Sequence, residues 1–322
     1  INRTNRREAM RSIRAAAERI RQGTSVVVFP EGTDPRIIRA ARQVADEGIA
    51  FPILLGQKSE IERIAGENSI SLDEISIEEP STSKRRDTYI DYLWTRRQRK
   101  GLSRGEASQL VFNANYFGSL MVAHGDADAL VSGVNMQYPE TIRPALQVIG
   151  AHPKAEVVSG LYMLVFEKHV IFCGDTTVNI DPTAEQLARI AYSTGRIVRT
   201  FGLTPRIAML SFSNFGSYES PSAQKMRDAL AIIKQRAPQL EVDGEMQADT
   251  AVLESLLRAE YPWCDLRSPA NVLVFPELNS ANIAYKLIWR LADAEAIGPV
   301  LLGMGKPVHV LQRGVETVDV VN

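Results

Sequence analysis

The chain has 322 residues, 45% of them hydrophobic and 23% charged, enough for about two domains of roughly 150 residues each and a sizeable core. Lysine and arginine (37) nearly balance aspartate and glutamate (38) for a formal charge of -1, which excludes the bulk electrostatic footprint of a general nucleic-acid or membrane-surface binder. No apolar run approaches the roughly 20 residues of a membrane span, and Cys173 and Cys264 stand far apart with no neighbouring histidine, which supports neither a disulfide framework nor a metal site and fits a reducing cytoplasm.

The chain opens on a basic stretch in which Met10, Ile13, Ala17 and Ile20 recur at helical spacing, so residues 1–24 read as a basic helical leader or linker. Short β-branched runs then alternate with helical patterns: Ser25–Phe29 then Pro35–Glu47, Ala129–Val131 then Thr141–Gly150, Ile207–Leu210 then Ala223–Arg236, Val272–Phe275 then Asn282–Glu295. That alternation predicts α/β architecture with largely parallel strands. Leu161–Phe166 and Val170–Phe172, separated by Glu167–Lys168–His169, read instead as a hairpin. Glu316–Asn322 resembles a helix that stops almost at once; with Ile1 in place of a start Met, this reads as a piece of a longer chain.

In open α/β sheets ligands gather outside the carboxyl ends of strands, where loops meet helix N-termini. The loops at Pro30–Gly32, Ser132–Gly133, Ser211–Ser217 and Pro276–Asn282 are therefore the places to look. There is no G-x-G-x-x-G after a strand, no P-loop, no H-E-x-x-H and no G-x-S-x-G. His124, His152, His169 and His309 are scattered without metal-ligand spacing, and no catalytic role is assigned to them. What remains is a dispersed anion-binding set. Arg97 ends a helix-like segment within a basic run that a solvated face would explain as well. Arg143 opens a predicted helix, where a cation opposes the dipole unless an anion pairs with it. Ser213 and Asn214 lie in a loop suited either to a phosphate or to simple capping.

Val28–Gly32, Val131–Gly133, Thr141–Gln147, Ser211–Ser217, Val242–Met246, Phe275–Asn279, Asn282–Leu287 and Gly298–Val308 together resemble phosphotransacetylases. The resemblance implies two α/β/α domains around a cleft, residues 25–154 plus 303–322 and residues 155–302, a homodimer, and acetyl transfer between phosphate and coenzyme A. It implies acetyl-CoA or phosphate contacts at Arg97, Ser132, Gly133, Arg143, Ser213, Asn214, Phe215, Asn282, Lys286, Gln312, Arg313 and Asp319. Arg97, Arg143 and Arg313 would hold the phosphate and Asp319 would be the base. Gln312 stands where the family has its catalytic serine, and Asn214 and Phe215 stand where it has Thr and Lys.

These departures, with Lys225–Leu230 and Lys306–Leu311, look similar to the C-terminal domain of bacterial hybrid NADP-dependent malic enzymes. On that resemblance the chain is expected to be a cytoplasmic, catalytically silent acetyl-CoA sensor that allosterically inhibits an upstream malic-enzyme domain. NADP and a divalent metal would belong to that upstream part, and the full-length assembly would be a higher oligomer. The alternative is an active phosphate acetyltransferase.

Overall fold

The structure, a computed structural model, describes residues 25–292 and 294–322; the predicted basic leader lies outside the described residues. The chain divides into two compact units, residues 25–153 with Met304–Asn322, and Lys154–Gly303.

In the first unit the elements run β1 (Val26–Phe29), α1 (Pro35–Asp46), β2 (Phe51–Leu55), α2 (Lys58–Glu67), β3 (Ser76–Glu78), α3 (Arg86–Arg97), α4 (Arg104–Leu110), α5 (Ala114–His124), β4 (Ala129–Ser132) and α6 (Tyr138–Val148). The second unit follows with β5 (Ser159–Val165), β6 (Val170–Gly174), α7 (Ala184–Thr200), β7 (Arg206–Leu210), α8 (Pro221–Arg236), β8 (Glu241–Met246), α9 (Ala248–Val252), α10 (Glu254–Glu260), β9 (Val272–Val274), α11 (Leu278–Leu291) and β10 (Glu295–Leu302). The chain then returns to the first unit with β11 (Val308–Val310) and α12 (Thr317–Val321). Among the described residues no helix is long and apolar enough to cross a membrane.

The first unit's strands are ordered β3-β2-β1-β4-β11, all parallel. Their short apolar runs are buried under helices, as parallel strands require. Phe29, Ile37, Ile38, Leu54 and Ile61 form the centre of that core. Helix α1 starts where it does because Asp34 accepts the Arg36 N–H at 2.8 Å and Pro35 occupies the first turn, where its missing N–H costs nothing. Asp34 also takes the Arg36 guanidinium at 2.8 Å and the Asn135 amide at 2.6 Å. Burial works against ionisation of Asp34, yet these donors outweigh it and hold its carboxyl below the ordinary 3.8. The stability it contributes is therefore present above that ordinary value and lost as pH falls through the lower folded one. Asp34→Asn should lower stability by about 1–3 kcal/mol at pH 7, and the gap from the parent should close below about pH 4. Urea midpoints measured from pH 7 to pH 3 check this; a gap that stays constant over that range would contradict it.

The second unit's strands run β10-β5-β6-β9-β7-β8. The β5–β6 pair is the hairpin expected from the sequence, and β10 joins β5, also antiparallel; β6, β9, β7 and β8 pair in parallel. Alternation along the strands separates two cores, one around Leu161, Phe172, Ile207 and Val272, the other around Tyr162, Leu164, Ala208 and Tyr285. Cys173 and Cys264 are both buried, and loss of water pushes each thiol up to about 12.

Two helix starts differ from the periodicity reading by three or more residues. Helix α6 begins at Tyr138 rather than Thr141, since Glu140 accepts the Gln137 N–H at 3.1 Å and Pro139 suits a first turn. Arg143 consequently lies inside the helix, and the argument that it opposes the dipole at a helix start falls away. Helix α11 begins at Leu278 rather than Asn282, because the Glu277 carboxylate accepts the Asn279 and Ser280 N–H groups at 2.7 and 2.6 Å.

Candidate active site

The carboxyl end of the first unit's sheet is organised by one buried carboxylate. Glu31, 7% exposed, follows β1 and accepts three successive amides of the loop after β4: Gly133 at 2.7, Val134 at 2.9 and Asn135 at 2.7 Å. Three converging N–H groups make an anion nest, and here the anion is the protein's own. Ser132, fully buried, gives its hydroxyl to Asn115 at 2.7 Å. Gly133 must be glycine: its φ is +122°, and a Cβ would stand 2.6 Å from the Leu311 carbonyl oxygen. The Leu311 N–H in turn donates to the Ser132 carbonyl at 2.7 Å. Ser132 and Gly133 thus spend their polar groups on holding the loop, and they fix it against the segment that carries Gln312 and Arg313.

Gln312 is half-buried and Arg313 exposed on the turn between β11 and α12. Arg36 ties this turn down by donating to the Val315 carbonyl at 3.0 Å. Asp319 sits in the first turn of α12, where its carboxylate accepts the Glu316 N–H at 2.8 Å.

Arg97 and Arg143 are brought to one place. Arg97 ends α3, which packs against α5 and α6. Arg143 and Gln147 are four residues apart on α6 and so share a face. Gln147 accepts the Tyr116 hydroxyl from α5 at 2.6 Å. Burial raises the Tyr116 phenol above its ordinary value, and both guanidinium groups pull the other way, so both lie within electrostatic reach of that oxygen. Neither arginine forms an ion pair or side-chain hydrogen bond among the described residues. Two guanidinium groups without a carboxylate partner near one phenol have the chemistry to take the oxygens of an anion.

The second unit carries the other five expected residues. Ser213, Asn214 and Phe215 lie on the loop after β7, organised by the fully buried Glu245. Its Oε1 accepts Ser213 Oγ at 2.8, Gly216 N at 2.9 and Arg227 Nη1 at 2.9 Å. Asn214 exchanges hydrogen bonds with Gln247. Phe215 packs on Tyr261 and Trp263, with ring centroids at 5.0 and 4.6 Å, so the loop presents an aromatic ring at that position. On α11, Asn282 donates to the Thr176 carbonyl at 3.2 Å and the Lys286 ammonium lies 5.6 Å from the Tyr285 ring centre. Among the described residues no cluster of three or more His, Cys, Asp or Glu is placed to hold a metal.

The sequence profile described as Phosphate acetyl/butaryl transferase matches residues 10–322. The chain belongs to this family. A phosphate acetyltransferase from Staphylococcus epidermidis is 38% identical over 92% of the chain and 91% of its own length. One from Nitratidesulfovibrio vulgaris is 38% identical over 95% of the chain, which spans 43% of that protein's length. A solved phosphotransacetylase from Streptococcus pyogenes superposes with a TM-score of 0.91 at 35% identity, covering 97% of the chain and 95% of that structure.

These findings correct the finer resemblance. Relatives at this identity, matched over nearly the whole chain, are named phosphate acetyltransferase, which overturns the reading as an inhibitory domain of an NADP-dependent malic enzyme, the oxidoreductase assignment and the fused upstream malic-enzyme partner. In this chain the segments that suggested that branch serve the fold: Lys225 pairs with Asp181 at 2.6 Å, Ser213 is held by Glu245, and Lys306–Leu311 leads through β11.

Tyr116, Gln147, Glu31 and Glu245 were not singled out as site residues from the sequence. The one available signal was an acidic residue directly after an apolar run, at Pro30–Glu31–Gly32 and at Asp243–Gly244–Glu245. A carboxylate there is either exposed at the sheet's functional end or buried and saturated by hydrogen bonds.

Proposed function

We propose that this chain is a phosphate acetyltransferase that exchanges an acetyl group between coenzyme A and phosphate. The observation that carries this reading is 38% identity over 92% of the chain to a protein of that name whose length it covers to 91%. The pair of cations at Arg97 and Arg143 supports it, since an acyl phosphate needs its charge neutralised before a thiol can approach.

In this reading Asp319 takes the proton of the coenzyme A thiol, the sulfur attacks the carbonyl carbon of acetyl phosphate, and a tetrahedral oxyanion forms. Collapse breaks the bond from that carbon to the phosphate oxygen and releases phosphate, with Arg313 offsetting its charge. Gln312 occupies the place of the family's hydroxyl. The expectation of a silent domain rested on that exchange together with Asn214 and Phe215 in place of Thr and Lys, but an oxyanion needs an aimed donor rather than a hydroxyl specifically, and a side-chain amide N–H serves the same purpose.

Incubating the purified protein with coenzyme A and acetyl phosphate, and following thioester absorbance, tests the reading. Acetyl-CoA should form at an ordinary enzymatic rate, on the order of 1–10³ s⁻¹. Formation no faster than the protein-free background would overturn it.

A further inference from the structure

We infer that Tyr116 is a third binding residue of the anion site formed by Arg97 and Arg143, its hydroxyl oriented by Gln147 to hydrogen-bond an oxygen of a phosphoryl group. The inference rests on the transferase reading and adds to it a neutral donor between two charged ones.

The ring of Tyr116 is 8% exposed and packed within α5, while its hydroxyl reaches Gln147 Oε1 at 2.6 Å. A buried phenol needs one partner, and a short carbonyl contact would satisfy it in an apolar surrounding. Its surroundings here are not apolar. Arg143 is one helical turn from Gln147 on the same face of α6, and Arg97 closes α3, which packs against both α5 and α6; both guanidinium groups act electrostatically on the phenol. Neither guanidinium has a carboxylate partner among the described residues, and a dianion bound beside the phenol would neutralise both.

The chemistry of the phenol–amide pair lets it respond. Gln147 presents a carbonyl on one side of its amide and two N–H donors on the other. Rotating the amide by half a turn lets Nε2 donate to the phenol oxygen, and the Tyr116 O–H is then released to donate to the anion. The pair thus holds its hydrogen bond in both states, and the phenol gains a charge-assisted partner when a phosphoryl group arrives. Arginine forks take two phosphate oxygens each in their own planes, and a single hydroxyl fixes the rotation that the forks leave open. The ligand class is a phosphoryl group with at least two free oxygens, as in an acyl phosphate or inorganic phosphate; a thiol or thioester offers this site nothing.

The test measures inorganic phosphate binding by calorimetry in the parent, in Tyr116→Phe and in Gln147→Leu, with KM for acetyl phosphate and for coenzyme A measured separately. Tyr116→Phe keeps the ring and so its packing; circular dichroism and the denaturation midpoint verify this. The expected result is about tenfold weaker phosphate binding and a matching rise in KM for acetyl phosphate, with KM for coenzyme A within twofold of the parent. Gln147→Leu, which leaves the hydroxyl present but unaimed, should weaken phosphate by a smaller factor in the same direction. Phosphate affinity unchanged in Tyr116→Phe, or both KM values raised equally, would overturn the inference and leave the phenol a packing group. A parent that binds phosphate through Tyr116 but forms no acetyl-CoA would overturn the transferase reading alone.

Discussion

Asp319→Asn should lower the rate of acetyl-CoA formation by about a hundredfold or more, the usual contribution of a positioned general base, with little change in stability. Side-chain chemistry separates the two effects. The carboxylate of Asp319 accepts the Glu316 N–H at the start of α12, and an asparagine carbonyl oxygen accepts the same bond, so the cap survives. What the amide cannot do is take a proton from a thiol near neutral pH. The loss should fall on kcat, because the substituted side chain still fills the same space. It should shrink as pH rises toward the thiol's own ionisation, where no base is needed. Steady-state rates from pH 6 to pH 9 decide the matter; an Asn variant within threefold of the parent throughout would place the base elsewhere.

The second large effect is one of stability. Glu31→Ala should destabilise the protein by about 3 kcal/mol, because the buried amides of Gly133 and Val134 and the part-buried amide of Asn135 lose their acceptor together, and each orphaned buried donor costs roughly 1–3 kcal/mol. Glu31→Gln should fall between, since its amide keeps one acceptor oxygen but turns an NH₂ group toward N–H donors. Urea denaturation at pH 7 would measure both. A loss below about 1 kcal/mol for the alanine variant would mean that water replaces the carboxylate and that the loop after β4 is less closely sealed than its hydrogen bonds indicate. The same variant should also impair turnover, because the Ser132–Gly133 loop is fixed directly against the segment bearing Gln312.

The strand and helix alternation was legible in the sequence because it rests on local periodicity. Val26–Phe29, Ala129–Ser132 and Arg206–Leu210 each lie within a residue of the predicted run, and the β5–β6 hairpin follows from two apolar runs joined by three polar residues. The misplaced starts of α6 and α11 came from caps rather than from the apolar pattern: Glu140 and Glu277 lie outside the periodic stretch that signals a helix. The loops at strand ends could be read as candidate site elements and Arg97 and Arg143 named as candidates, but the Tyr116–Gln147 pair beside them could not. Tyr116 sits amid the nearly all-buried residues of α5, where a tyrosine in an apolar helix reads as core. Glu31 meets its three amides more than a hundred residues later in the chain, and no local spacing encodes a contact of that separation.

An acetyl phosphate poised for attack would acylate any competent sulfur within reach, the protein's own included. With their thiols pushed up to about 12 by burial, Cys173 and Cys264 stay in the unreactive thiol form at neutral pH. For Cys264 the Asp243 carboxylate acts in the same direction as burial and contributes to that rise. Thiol-reactive dyes added to follow free coenzyme A should therefore report the cosubstrate rather than the folded protein.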